Sequence, residues 1–310
     1  MKIVVTGATG FLGSHVVRAL VDRGDDVFAV ARPTSDRRRL RATTKFTWLV
    51  ADFATNAGRT QIAEVEADVC IHAAWCTEPG RYLTSLANID LMAASLHLAQ
   101  ELSLRGCRRF VGIGTCFEYD TEVGYLSEAT RIAPEHLYSA TKAGTYLALR
   151  QVGANTGMQL AWARLFYLFG PDEHPSRLVA SVARSLLRGE PARCTPGKQV
   201  RDYLHVADAA SALAEIAHCD VTDAVNVGSG QPVTVEAIVR TLGDLSGRPD
   251  LVELGALTYG HREPMFVCAN VQKLRAYTPW KPRWSLRDGL ADALDAWRRS
   301  FADADAHRES

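Results

Sequence analysis

The chain has 310 residues, enough at about 150 per domain for one large domain or two unequal ones around a sizeable core. Hydrophobic residues make up 47% and charged residues 23%, and 35 Lys+Arg balance 35 Asp+Glu to a formal net charge of zero, which argues against the basic excess of a nucleic-acid binder. The apolar start Ile3-Val4-Val5 is broken by Gly7, and no apolar run reaches the roughly 18 residues of a membrane span, so neither a secretory leader nor a membrane protein is expected.

The elements follow in chain order. Ile3–Thr6 reads as a buried strand, Phe11–Arg23 as a helix and Val27–Ala31 as a second strand. Phe46–Val50 and Val69–His72 read as strands, with a weak helix near Gly58–Val65 between them. Arg81–Arg105 reads as a long helix, Arg109–Ile113 as a strand, Tyr138–Ala154 as a helix and Leu160–Leu165 as a strand. This alternation predicts an α/β chain with a Rossmann-type, doubly wound parallel sheet covered on both faces. After Gly170-Pro171 the pattern loosens, with helices near Leu178–Leu187 and Val233–Leu245, a strand near Ala224–Val227 and a polar, fraying tail at Ala302–Ser310. The expected division is a cofactor-binding domain over residues 1–170, with segments returning near 202–230. Residues 171–310 then form mostly a smaller C-terminal substrate-binding lobe.

The seven cysteines are odd in number and form no C-x-x-C or zinc spacing, which predicts free thiols in a reducing cytoplasm and no metal. The basic run Arg37-Arg38-Arg39-Leu40-Arg41 reads as a solvated face.

The first strand runs into Gly7-Ala8-Thr9-Gly10-Phe11-Leu12-Gly13 and then a helix. Gly7 permits the tight turn, Gly10 lets backbone approach a pyrophosphate, and Gly13 lets the helix pack close to the strand. The free N–H groups of Phe11 and Leu12 and the helix dipole then face phosphate. At the end of the second strand an acid would bind the ribose 2′-hydroxyl of NAD. Here the strand ends Val30-Ala31-Arg32-Pro33, so Arg32, assisted by Arg37, suits a 2′-phosphate, and NADP(H) is expected before NAD(H). Asp52, followed by Phe53, is a candidate for the adenine amino group.

Tyr138 and Lys142 stand four apart and so share one helix face. A cationic Lys beside a phenol lowers the phenol pKa by roughly 1–3 units, which predicts Tyr138 as the proton-transfer group. Thr115 follows its strand at the carboxyl edge, where its hydroxyl can bond the same substrate oxygen.

With these motifs in this order, the chain resembles the extended short-chain dehydrogenase/reductases of the nucleotide-sugar epimerase/dehydratase group. Asp68 to Ala74 resembles the strand that lines the cofactor in that family, which implies cofactor contacts for His72, Ala73 and Ala74. Asn88 resembles the asparagine that steadies the central helix. Gly197 to Asp208 resembles the R-D-(Y/F)-(I/L)-H-V-x-D segment, and Asn226 to Gly230 the N-(V/I)-G-S-G turn. The resemblance implies a nucleotide-diphosphate sugar as substrate, met by Arg201 and Arg262 at the diphosphate. Two departures stand out. Dehydratases carry an Asp-Glu pair directly after the Thr, where this chain has Cys116 and Phe117; the stretch G-T-C-F-E-Y is most similar to ketoreductases of deoxysugar pathways, including those making CDP-abequose. Tyr167 replaces a usual Asn, which puts that phosphate contact in question. The resemblance thus implies NADPH-dependent reduction of a 4-keto sugar, with a 4-epimerase as the alternative. It further implies a homodimer through the helix carrying Leu86, Leu91, Leu96, Leu98 and Leu102 and the one carrying Leu147 to Leu149.

Overall fold

A computed structural model describes residues 1–41, 43, 45–260 and 263–306. The chain opens with β1 (Lys2–Thr6), α1 (Phe11–Arg23), β2 (Asp26–Ala31), β3 (Thr47–Val50), α2 (Asn56–Ala63), β4 (Val69–His72), α3 (Ala87–Leu104) and β5 (Arg109–Thr115). β6 (Tyr125–Leu126), α4 (Leu137–Thr156), β7 (Gln159–Leu165), β8 (Tyr167–Phe169), α5 (Leu178–Leu187), β9 (Ala192–Cys194) and β10 (Val200–His205) follow. α6 (Val206–His218), β11 (Asp223–Val227), β12 (Pro232–Thr234), α7 (Val235–Ser246), β13 (Val252–Leu254), β14 (Phe266–Ala269), α8 (Gln272–Tyr277) and α9 (Leu286–Ala306) complete it.

The central sheet is parallel throughout, with seven strands in the order β11-β7-β5-β4-β1-β2-β3. Both faces are apolar because alternate residues of each strand point opposite ways. Ile3 and Val5 of β1, with Val111 and Ile113 of β5, pack against α1 and α6 through Val16, Leu20, Leu213 and Ile216. Val4 and Phe110 face the other way, onto α2, α3 and α4 through Ile62, Leu98, Leu102 and Leu149. The reversal of strand order between β1 and β4 opens a crevice at the carboxyl edge, the place where ligands bind in such sheets.

A second layer sits over that edge. β10 pairs antiparallel with β12 and parallel with β8 and β14, and β14 pairs with β6. α5, α7 and α9 bury Val182, Leu186, Ile238, Leu242 and Leu290 in a core of their own. Although late in the chain, β11 is an edge strand of the large sheet and α6 lies against α1.

Several expected boundaries shift. The helix expected from Arg81 begins at Ala87, because Pro79 and the positive-φ Gly80 lead into turns whose carbonyls at Tyr82 and Ser85 accept from the Asn88 amide at 2.7 and 2.8 Å. The strand expected to stop at Ile113 runs on to Thr115. α9 takes in the first part of the tail expected to fray, continuing to Ala306.

Asp202 and Asp208, six residues apart, are the fasteners of the second layer. Asp202 is fully buried and accepts from the Ser229 N–H and hydroxyl, both at 2.7 Å, from Gly230 N at 2.9 Å and from Ala269 N at 3.1 Å. Asp208 accepts from Arg283 N and Trp284 N at 3.0 Å each. Asp202→Asn puts an amide donor among donors, and losing charge-assisted bonds to buried N–H groups costs roughly 2–4 kcal/mol. Urea denaturation should show that loss; an unchanged midpoint would remove Asp202 as a fastener.

Candidate active site

The crevice at the carboxyl edge is a cleft of about 910 Å³. Its cofactor half is built by the loop between β1 and α1. Gly7 has φ +68°, and a Cβ there would stand 2.7 Å from the main chain of Ala73 and Ala74. A Cβ on Gly13 would stand 2.0 Å from the Gly7 carbonyl oxygen, so only glycine lets α1 start this close to β1. The first turn of α1 has neither a side-chain cap nor an acidic residue, leaving its N–H groups for an anion. Gly7, Thr9, Gly10, Phe11, Leu12 and Gly13 all line the cleft, as do Arg32, Asp52, Phe53, Ala73 and Ala74. This cradle fits a dinucleotide pyrophosphate, with Arg32 exposed at the end of β2.

Two expectations in this half change. His72 does not line the cleft: its ring is buried between Thr6 Oγ1 at 2.7 Å and Ser95 Oγ at 2.9 Å, with both nitrogens in use. Burial, with Lys142 second, pulls its pKa down to about 3, so it is a neutral strut beneath the loop. Nor is the basic run wholly a solvated face. Arg39 donates to Thr9 O at 3.1 Å and Asp172 O at 3.0 Å, and Arg37 lies 4.9 Å from the Trp48 ring centre.

The reacting end gathers Thr115, Tyr138 and Lys142, all lining the cleft. Thr115 is the last residue of β5, and its Oγ1 accepts from Phe117 N at 3.3 Å, so the hydroxyl hydrogen is free to donate elsewhere. Tyr138 stands in the first turn of α4, its ring edge-on to Tyr82 at 4.9 Å. Lys142, one turn on, donates to Ile113 O at 2.8 Å and sits 3.7 Å from the Trp75 ring centre. The expected lowering of the Tyr138 pKa is reversed. Burial, then the neighbouring Tyr82, push it above the usual phenol range, and the ammonium is 6.0 Å from the Tyr138 ring centre. The same burial pulls Lys142 down to about 7, opposed by the Glu118 charge.

In the substrate half, Cys116, Phe117 and Tyr167 line the cleft. Arg201 does not. Its side chain is 3% exposed, stacks 5.4 Å from the Tyr167 ring centre and ion-pairs with Glu263. A carboxylate of the chain itself thus holds the guanidinium expected at a diphosphate. Arg262 lies outside the described residues.

Several cleft residues carried no sequence motif. Trp75 and Tyr82 stand on the loop between β4 and α3; Tyr82 falls in the stretch expected as helix, and Trp75 in one given no element. Glu173 follows the positive-φ Asp172; it is 6% exposed, and burial pushes its pKa up to about 8 against the pull of Arg177.

A family model described as the NAD dependent epimerase/dehydratase family matches residues 3–228. The chain belongs to that family, and it is an enzyme. The low-salt glycan biosynthesis protein Agl12 of Haloferax volcanii is 28% identical over 95% of this chain and 98% of its own length. MoeE5, solved in complex with UDP-glucuronic acid and NAD, is 26% identical with a TM-score of 0.82, over 97% of this chain and 100% of that one. The UDP-N-acetylglucosamine 4-epimerase of Methanobrevibacter ruminantium M1 shares the fold, with a TM-score of 0.87 at 22% identity over 96% of this chain and 98% of that one. Membership in this epimerase/dehydratase family supports NAD, ranked second in the sequence reading, ahead of NADP.

Proposed function

We propose that the chain reduces a 4-keto group on a nucleotide-linked deoxysugar, with Tyr138 as proton donor. The observation that carries this reading is the wall after Thr115. Cys116 and Phe117 line the cleft where dehydratases carry an Asp-Glu pair, and burial pushes the Cys116 thiol up to about 12, so it stays neutral. Glu118 is fully buried and bound to Arg164 at 2.7 Å. Neither position directly after Thr115 thus offers a carboxylate for dehydration. Hydride exchange needs only one proton site.

Gly7 to Gly13, Arg32 and Asp52 would hold the nicotinamide cofactor, which would supply the hydride when bound. Tyr138 then gives its hydroxyl proton to the oxygen of the carbonyl being reduced, and the product is the alcohol. The high phenol pKa suits a group that holds its proton until the oxygen gains charge. Thr115 donates to the same oxygen, and Lys142 holds the ribose and favours the departing phenolate. Arg201 and Arg262 are read as the diphosphate ligands; Arg201 reaches one only when Glu263 gives way. The 4-epimerase alternative uses the same three residues and is favoured by the family's NAD, which would stay bound and be recycled.

NADP(H) is proposed over NAD(H) because Arg32 lines the cleft with no acid at the end of β2. Residues 1–170, with α6 and β11, are read as the cofactor domain and the rest mostly as the substrate lobe. A homodimer is read from the α3/α4 side, where Leu86 is 74%, Ile89 52% and Leu147 54% exposed.

Turnover of 4-keto-6-deoxy sugar nucleotides with NADPH tests the reaction. Tyr138→Phe should lose roughly 10²–10⁴ in kcat without losing its melting transition; full activity in this variant would end the assignment. Bound, unconsumed NAD(P) with interconversion of C4 epimers would select the epimerase reading. Arg32→Asp should weaken NADPH and strengthen NADH, and a wild type that prefers NADH would refute the reading of β2. Sedimentation at micromolar concentration should show a dimer; a monomer would rule it out.

A further inference from the structure

Glu118 takes no part in the mechanism above, yet it bonds Thr115 and its charge acts on both Tyr138 and Lys142. It is fully buried. Its Oε1 accepts from the Thr115 main-chain N–H at 2.9 Å and from Trp162 Nε1 at 3.0 Å, and its Oε2 from Arg164 Nε at 2.7 Å. β5 is shaped to admit this group. A Cβ on Gly114 would stand 2.3 Å from Trp162 Nε1 and 2.5 Å from Glu118 Oε1, and one on Gly112 would stand 2.4 Å from the Trp162 ring. The two glycines, one pleat apart, therefore make the slot in which indole and carboxylate meet.

A buried ion pair is a weak source of stability, since desolvation of both charges offsets most of their attraction. What this pair does have is position. The turn Cys116–Glu118 closes on Thr115 from both sides: Thr115 Oγ1 accepts from Phe117 N, and the Glu118 side chain returns to Thr115 N. Lys142 has no carboxylate within ion-pair distance among the described residues. Around it stand Tyr138 on its own helix, the neutral His72 at the end of β4, the rings of Trp75 and of Trp162 at 3.7 and 5.9 Å, and Glu118, which accepts from the indole N–H of that same Trp162. Arg164 on β7 stands behind Glu118, with its guanidinium 4.4 Å from the Tyr119 ring centre and 5.1 Å from that of Tyr146.

We propose that Glu118 is the positioning residue of the proton-transfer group: it fixes Thr115 through its main-chain N–H and is the anion facing the Lys142 ammonium. The proposal rests on the oxidoreductase reading for its catalytic consequence, though not for its electrostatic one. A carboxylate at this place favours proton retention on both Lys142 and Tyr138. Removing the charge moves both titrations the same way, toward lower pH.

The test is Glu118→Gln, followed through pH profiles of kcat and of NADPH affinity measured by fluorescence. The alkaline limb of both should move down by roughly one unit. At the pH optimum kcat should fall with KM for the sugar nucleotide little changed. A uniform loss of activity with the limbs where the wild type has them would make Glu118 structural only and overturn the proposal. Where the single variant fails to fold around an unpaired Arg164, Glu118→Gln with Arg164→Gln replaces it. Its limb should still lie below that of the wild type, and coincidence of the two would count against Glu118. A protein that binds NADPH but turns over no keto sugar defeats the functional reading, while the affinity profile still decides on Glu118.

Discussion

The approach of α1 to β1 is the contact on which the cofactor half of the cleft depends. With 2.0 Å between the Gly7 carbonyl oxygen and the place of a Gly13 Cβ, any side chain at 13 must push the helix outward. The first turn of α1 would then leave the sheet edge, and its uncapped N–H groups would no longer point into the crevice. Gly7 adds a second restriction, because its own Cβ would meet Ala73 and Ala74 at the end of β4. The phosphate loop is therefore set by two strands and a helix at once. His72, locked between Thr6 and Ser95, braces the same junction from inside.

Features that repeat locally were legible in the sequence. Strand, glycine loop and helix are adjacent in the chain, and α5 was placed at Leu178–Leu187 by its apolar period alone. Tyr138 and Lys142 were found because helix geometry puts residues four apart on one face. Groups whose meaning is set by distant partners were not legible. Nothing local marks Glu118 as the partner of Trp162 and Arg164, 44 and 46 residues away. The pairing of Arg201 with Glu263, 62 residues on, is equally silent in a motif that reads as a diphosphate ligand. The end of the loop after β4, Arg81 to Leu86, was misread as helix because Leu83 and Leu86 continue the apolar run of α3, while the Asn88 amide captures two of its carbonyls.

The reversed Tyr138 shift shows why residue spacing predicts placement better than proton affinity. Spacing brings the ammonium to the same helix face, but burial and the Tyr82 ring act on the phenol at shorter range. Lys142 meanwhile spends its hydrogen bond on Ile113 O and rests on the face of Trp75. The charge environment of the pair comes from the wall around it, in which Glu118 is the near anion. Proton affinity here is a property of tertiary packing, and the four-residue spacing is only its precondition.

Arg39 joins the two halves of the cleft in a way that the basic run alone does not suggest. One nitrogen of its guanidinium bonds the carbonyl of Thr9 in the phosphate loop, and another bonds the carbonyl of Asp172. Asp172 holds φ +68° immediately before Glu173, which lines the substrate half. A non-glycine residue in that conformation persists only where its surroundings hold it there. The bond from Arg39 is part of that hold. It ties the phosphate loop to the segment bearing Glu173 and Arg177. Arg39 receives a main-chain tie in turn, since Arg18 donates to its carbonyl oxygen from α1. Cofactor loop, helix and substrate loop thus meet at one residue, the two loops through its guanidinium and the helix through its carbonyl oxygen.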